Sequence, residues 1–170
     1  LSRFLKSAGY ETAHFGKWHL ANDMIPDAPF PSEYGFDEYG AFNCSGPQMY
    51  VHDDVKSAIP FIEKSHKADK PFFINLWIHE PHTPFHVDPK LQKRFAKLGE
   101  KDAIYAATLF HADLRIGQLL DALDRLKITN NTLVIFSSDN GPARGAPDAP
   151  LTLGYDSATG LGYGIAAAKG

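Results

Sequence analysis

Two uninterrupted apolar runs constrain this chain more than any other feature. Phe72–Ile78 (FFINLWI) and Thr132–Phe136 (TLVIF) carry no charged residue and are rich in β-branched and aromatic types. Runs of that length, bounded by turn-forming residues, fit strands buried on both faces of a parallel sheet. Both stop abruptly in polar sequence. The first leads into His79-Glu80-Pro81-His82-Thr83-Pro84-Phe85-His86, the second into Ser137-Ser138-Asp139-Asn140-Gly141-Pro142. Open α/β sheets bind ligands at the carboxyl ends of their strands, so these endings are the first candidates for a site. Asp139 and Asn140 offer a carboxylate and an amide oxygen, the hard donors that Ca²⁺ or Mg²⁺ prefer. Alone, that ending also reads as a plain turn after a strand. The other strand ends decide between the two.

The rest of the composition sets limits. At 170 residues and 44% hydrophobic, the chain can bury one core of ordinary domain size. A net charge of −3 with no basic run argues against a nucleic-acid partner. No apolar stretch reaches the length of a membrane span. The single cysteine, Cys44, excludes an internal disulfide framework. It has no neighbouring base in sequence and reads as a bland thiol. The chain starts without Met and ends in a Gly/Ala-rich stretch. It therefore reads as an internal segment of a longer protein, which leaves its compartment open.

From the start, Ser2 is placed to cap a short helix over Arg3–Ala8, closed by Gly9. Tyr10–Phe15 then reads as a short strand running into Gly16-Lys17-Trp18-His19-Leu20. Gly16 permits close backbone approach. If the segment stays extended, Lys17 and His19 lie on one side, because side chains alternate along a strand. A cation and an imidazole together suit an anionic oxygen that is bound and then gains or loses a proton.

Asn22–Asn43 reads as a loop, with Phe36, Tyr39 and Phe42 fastening it to the body. Val51–Ala68 has Val55, Ile59 and Ile62 at helical spacing and reads as an amphipathic helix containing Pro60. The His79–His86 loop is one residue short of a zincin His-Glu-x-x-His pattern. Pro81 and Pro84 also forbid the helix that such a pattern needs. Instead the prolines stiffen a loop holding His82 at the sheet mouth, with His79 and His86 as rim residues. Asp88-Pro89 opens another helix, and Asp102–Leu126 is the longest, with an apolar face expected against the sheet. His111 and Asp113 within it read as structural, with Asp113 able to form a buried pair. Gly160-Leu161-Gly162-Tyr163-Gly164 lacks the spacing and preceding strand of a dinucleotide fingerprint.

Three parallel strands joined by right-handed crossovers bring their ends to one edge. That edge would hold Lys17, His19, His82, Asp139 and Asn140. Such a set suits hydrolysis of an anionic tetrahedral ester: metal and lysine bind the developing charge while a histidine moves the proton.

These residues also resemble a family. Gly16-Lys17-Trp18-His19-Leu20, preceded by Leu5-Lys6-Ser7-Ala8-Gly9-Tyr10-Glu11-Thr12, looks like the second sulfatase signature. Tyr34-Gly35-Phe36-Asp37-Glu38, Pro81-His82-Thr83-Pro84 and Ser138-Asp139-Asn140-Gly141-Pro142 follow in the order sulfatases show. Together they span most of the chain. The resemblance implies an arylsulfatase-like member of the alkaline-phosphatase superfamily. Its fold would be an α/β/α three-layer sandwich with a mostly parallel sheet, of which residues 1–170 form part of one catalytic domain. It implies sulfate-ester hydrolysis through a formylglycine made from Cys or Ser, with bound Ca²⁺ (or Mg²⁺). Asp139 and Asn140 would be metal ligands. Lys17 would contact sulfate and the formylglycine, His19 would support the formylglycine hydroxyl, and His82 would bind sulfate. Substrates would be sulfated glycans or aryl sulfates, and location periplasmic, extracellular or lysosomal.

The chain departs from the family pattern in that the formylglycine segment, the early acidic pair that completes the metal site and a later Lys are all missing, and these are expected upstream of Leu1 or downstream of Gly170. It has no Cys/Ser-x-Pro/Ala-x-Arg segment, since after Cys44 stand Gly46 and Gln48. Formylglycine is therefore expected upstream of Leu1. Residues 1–170 alone are expected to lack turnover and to bind Ca²⁺ poorly, because two oxygen ligands cannot fill six to eight positions. Two alternatives stay open. One is a phosphate- or phosphonate-ester hydrolase of the same superfamily, using two metals and recruiting His79, His82 and His86. The other is a non-catalytic homologue that binds sulfated glycans.

Overall fold

The computed structural model describes residues 1–20, 27–42 and 47–138. Its centre is a three-stranded, all-parallel sheet of β1 (Glu11–Lys17), β2 (Glu38–Phe42) and β3 (Phe72–Trp77), in the order β2-β1-β3. Helix α1 (Ser2–Ser7) precedes β1, and α2 (Asp54–Lys67) crosses from β2 to β3. After β3 come α3 (Pro89–Arg94) and the long α4 (Glu100–Arg125).

Register divides the sheet into two faces. Ala13 pairs with Ile74 and Phe15 with Leu76, so these four side chains share one face. They pack there with Ala58 and Phe61 of α2 and with Leu119 of α4. The Phe15 and Phe61 rings meet edge to face at 6.1 Å. Thr12, His14 and Gly16 pair with Phe73, Asn75 and Trp77 on the opposite face. Trp18, Phe36 and Ala41 form a second buried cluster, against which Phe73 and Tyr34 pack.

Several expectations hold. Asp88 caps α3 by accepting from the Lys90 amide at 2.8 Å, with Pro89 at the first helical position. Phe36 is buried and fastens its loop to the body. The same loop is pinned to β1, where the Thr12 hydroxyl donates to the Gly35 carbonyl at 2.7 Å. The Thr12 amide donates to the Asp37 carboxylate at 3.0 Å.

Other expectations are corrected. Ser2 lies inside α1, not at its cap, and its hydroxyl donates to the Tyr34 carbonyl at 2.5 Å. The loop expected over Asn22–Asn43 contains β2, because pairing with β1 supplies partners that the short Glu38–Phe42 segment needs to act as a strand. Helix α4 packs chiefly on α2 and α3, and its Leu114 and Leu120 are exposed.

Thr132–Phe136 is the largest difference. It forms no strand, and Leu133 and Ile135 are 86% and 80% exposed. None of the three described strands pairs with it. An apolar run becomes a buried strand only when neighbours supply hydrogen bonds and cover its side chains. The described residues provide neither.

Candidate active site

Because all three strands run parallel, Lys17, Phe42 and Trp77 end on one edge, and the His79–His86 loop leaves from it. Lys17 closes β1 half-buried, in register with Phe42, whose carbonyl accepts from the Trp18 amide at 3.0 Å. The Phe42 ring meets the His79 ring edge to face at 5.4 Å. His79 in turn lies 5.5 Å from the His82 ring and 5.7 Å from the His86 ring. A chain of neighbours therefore links the end bearing Lys17 to the loop bearing His82. This is the convergence that parallel topology demanded.

His82 is exposed, and its Nδ1–H donates to the Thr83 carbonyl at 2.5 Å, so Nε2 is the nitrogen left for a ligand. Its amide donates to the His79 carbonyl at 2.9 Å, closing a tight turn. His19 is not drawn into the cluster. The strand stops at Lys17, Trp18 turns inward, and His19 stands exposed beyond it. The alternation that would have aligned Lys17 with His19 needs an extended chain there. Cys44, Asp139 and Asn140 lie outside the described residues, as does the glycine-rich segment near Gly160.

Two residues matter more than their sequence context suggested. His79, expected at the rim, is half-buried at the centre of the ring cluster. Its pKa is lowered chiefly by burial, against a weak hydrogen bond to the Pro84 carbonyl at 3.4 Å. His14 was missed altogether. It is fully buried on β1, where its Nε2–H donates to the Lys17 carbonyl at 3.0 Å and its Nδ1 accepts from the Asn75 amide at 3.2 Å. A neutral imidazole thus holds the backbone of Lys17 in place. The only signal in sequence was a histidine set between Ala13 and Phe15 in the middle of the strand.

Burial lowers the His14 pKa from 6.5 to about 4, against the hydrogen bond to Lys17. The unfolded chain takes up this proton below pH 6.5 and the folded chain only near pH 4. Stability is therefore fully present above pH 6.5 and falls by about 3 kcal/mol as pH drops to 4. His79 and His111, also lowered chiefly by burial, steepen the same slope. Urea midpoints of the intact protein between pH 7.5 and 4.5 should show the fall. His14→Gln should flatten it.

Beneath the His79–His86 loop lies a buried charge network. Glu80 Oε1 accepts from Arg115 Nη1 of α4 at 2.6 Å, and Arg115 Nη2 pairs with Asp54 at the start of α2. Their side chains are 2%, 6% and 0% exposed. His52 Nδ1 lies 2.5 Å from Glu80 Oε1, and His52 Nε2–H donates to the His86 carbonyl at 2.8 Å. Asp113, considered above for a buried pair, is exposed instead.

Among the described residues, His52, Glu80 and His111 form one group whose donors lie within 4.8 Å of one another. Two imidazoles and one carboxylate are the wrong donors for Ca²⁺, which takes oxygen ligands. The space is also filled, since Arg115 Nη1 sits 2.6 Å from Glu80 Oε1 and 3.0 Å from His52 Nδ1. A guanidinium supplies the positive charge that an ion would otherwise bring.

Comparison with known proteins agrees with this architecture. Residues 1–164 match the family model for Sulfatase. The chain is 30% identical to an ulvan-active sulfatase of Formosa agariphila over 184 residues, covering 87% of this chain and 36% of that protein. It is 27% identical to N-acetylgalactosamine-6-sulfatase of Canis lupus familiaris, covering 91% of this chain and 36% of that one. The solved structure of Ps i-CgsB with k-i-k-neocarrahexaose superposes with a TM-score of 0.69 at 25% identity, covering 82% of this chain and 39% of that chain. The chain thus spans little more than a third of the relatives it matches. The parallel sheet with its crossover helix is part of the alkaline-phosphatase-like α/β fold. With the family model matching nearly its whole length, the chain belongs to the sulfatase family.

Proposed function

We propose that the protein containing this chain hydrolyses sulfate esters, with sulfated carbohydrates as its substrate class. The observation that carries the reading is the convergence of the Lys17 strand end with His79 and His82 on one sheet edge. An ammonium and imidazole N–H groups suit the negative charge of a tetrahedral sulfate ester and of the five-coordinate transition state at its sulfur. Lys17 contacts the sulfate oxygens and stabilises charge developing on them. His82, its Nδ1–H on the Thr83 carbonyl, donates Nε2–H to sulfate in its doubly protonated form, and His19 supports the nucleophile's hydroxyl from beyond the strand end. Asp139 and Asn140 would hold a divalent ion, Ca²⁺ by family, which supplies positive charge at the sulfate oxygens, and an upstream formylglycine would supply the nucleophilic oxygen. Sulfated-carbohydrate substrates are supported by the names of relatives that act on ulvan and on N-acetylgalactosamine-6-sulfate. A location in the periplasm, lysosome or outside the cell goes with that substrate class.

The test is hydrolysis by the intact protein of sulfated oligosaccharides and an aryl sulfate, alongside an aryl phosphate. Sulfate release faster than phosphate release, with formylglycine found by peptide mass spectrometry, is the expected result. Faster phosphate release with bound zinc would move the protein to the phosphoesterases. No release from any ester would leave a glycan-binding homologue.

A further inference from the structure

The buried network beneath the His79–His86 loop has no part in the chemistry just described, yet both of its attachments to that loop flank His82. Glu80, two residues before His82, is gripped by Arg115. The carbonyl of His86, four residues after it, accepts from His52. His52 also touches Glu80 at 2.5 Å, so the two attachments meet beneath the loop. Between them, the His82 turn is closed by its own amide bond to His79.

We propose that Arg115, fixed by Asp54 and working with His52, is a positioning residue for His82. It acts by locking Glu80 and thereby the loop that carries the proposed sulfate-binding imidazole. The role rests on the sulfatase reading, but the anchoring does not.

The network's charge arrangement explains why it would be rigid. Glu80 Oε2 and Asp54 Oδ2 are buried without hydrogen-bond partners among the described residues, so Arg115 is the cation that compensates both carboxylates. Removing the cation would leave Asp54 without a cationic partner and Glu80 with His52 alone, a condition that forces the loop or the helices apart. Only a guanidinium reaches Asp54 and Glu80 at once from α4, because its nitrogens form a planar fork. The attachments come from two stretches distant in sequence: His52 and Asp54 at the entry to α2, and Arg115 in the middle of α4. Loop placement is therefore coupled to helix packing on the far side of the strand ends. A loop tethered only at β3 would leave His82 free to shift by an ångström. Misplacement of that size costs about 100-fold in rate.

Arg115→Met removes a buried cation and endangers the fold itself, so the test uses Glu80→Gln and His52→Gln in the intact protein, with Arg115→Lys as the conservative variant. Each is read by amide exchange at His82, by kcat and KM on an aryl sulfate, and by Tm. Exchange at His82 at least tenfold faster in Glu80→Gln and His52→Gln is expected, with kcat down about 10- to 100-fold and KM moved less. Arg115→Lys should restore only part of the protection. Unchanged exchange at His82, or a lowered Tm with unchanged kcat well below it, would overturn the proposal and leave a purely structural network. If the wild-type protein turns over no sulfate ester, the sulfatase reading fails, and the exchange results alone decide whether the loop is anchored here.

Discussion

Lys17→Ala in the intact protein should lower kcat on a sulfate ester by about 10² to 10³-fold, the loss typical of removing one preorganised charge-stabilising donor. The side chain is half-buried at the end of β1 and has no ion pair with another described residue. Deleting it should therefore leave the fold intact and change Tm little. The backbone at this position is held independently, by the His14 imidazole and by pairing with β2. The expected pattern is lost turnover with retained stability, measured by steady-state kinetics and thermal unfolding on the same preparation. Retained kcat would remove Lys17 from the site. A glycan-binding protein would show no turnover to lose.

Gly16→Ala should have the largest effect on stability. Gly16 has φ of +110°, a conformation that costs a residue with a side chain about 1–3 kcal/mol. An added Cβ would also overlap the Trp77 carbonyl group of β3, with the carbonyl carbon only 2.6 Å away. That obstacle is the backbone of a strand paired with β1, so it cannot rotate aside as a side chain could. Together the terms place the loss at about 4 kcal/mol, a large part of the stability of an ordinary domain. Chemical denaturation of the purified variant measures it. The separation of β1 from β3 would also displace Lys17, so surviving Gly16→Ala protein should be impaired in turnover as well. A variant of unchanged stability would mean that the strands part here at little cost.

These two neighbours show how unevenly the site could be read in advance. Gly16 and Lys17 were legible because a glycine before a cation at a strand end has a meaning that local geometry fixes: close backbone approach, then a charge at the sheet edge. His82 was legible for a similar reason, since Pro81 and Pro84 exclude a helix and leave a stiff loop. Asp88-Pro89 announced its helix through capping chemistry that involves three consecutive residues. The helical period of Val55 and Ile62 placed α2, whose buried side carries both.

His19 lies exposed beyond the end of β1, so strand alternation does not place it beside Lys17. The short strand β2 was invisible because its five residues gain strand character from β1 and not from their own composition. Thr132–Phe136 failed in the opposite direction. Its strand composition is strong, but no described neighbour pairs with it.

What the sequence determined by itself is therefore local: helix caps and periods, the glycine before Lys17, the proline-stiffened loop, and the ordered motifs that mark a sulfatase. The tertiary structure alone decided which distant groups meet. His14 against Asn75 of β3, and Arg115 between Asp54 and Glu80, join residues from separate elements. No spacing rule links position 54 to 80 and 115. Their meeting depends on a crossover helix, a parallel sheet and a long helix packing together. That packing also removes the water that would otherwise weaken such contacts, and burial is what makes the network strong enough to matter.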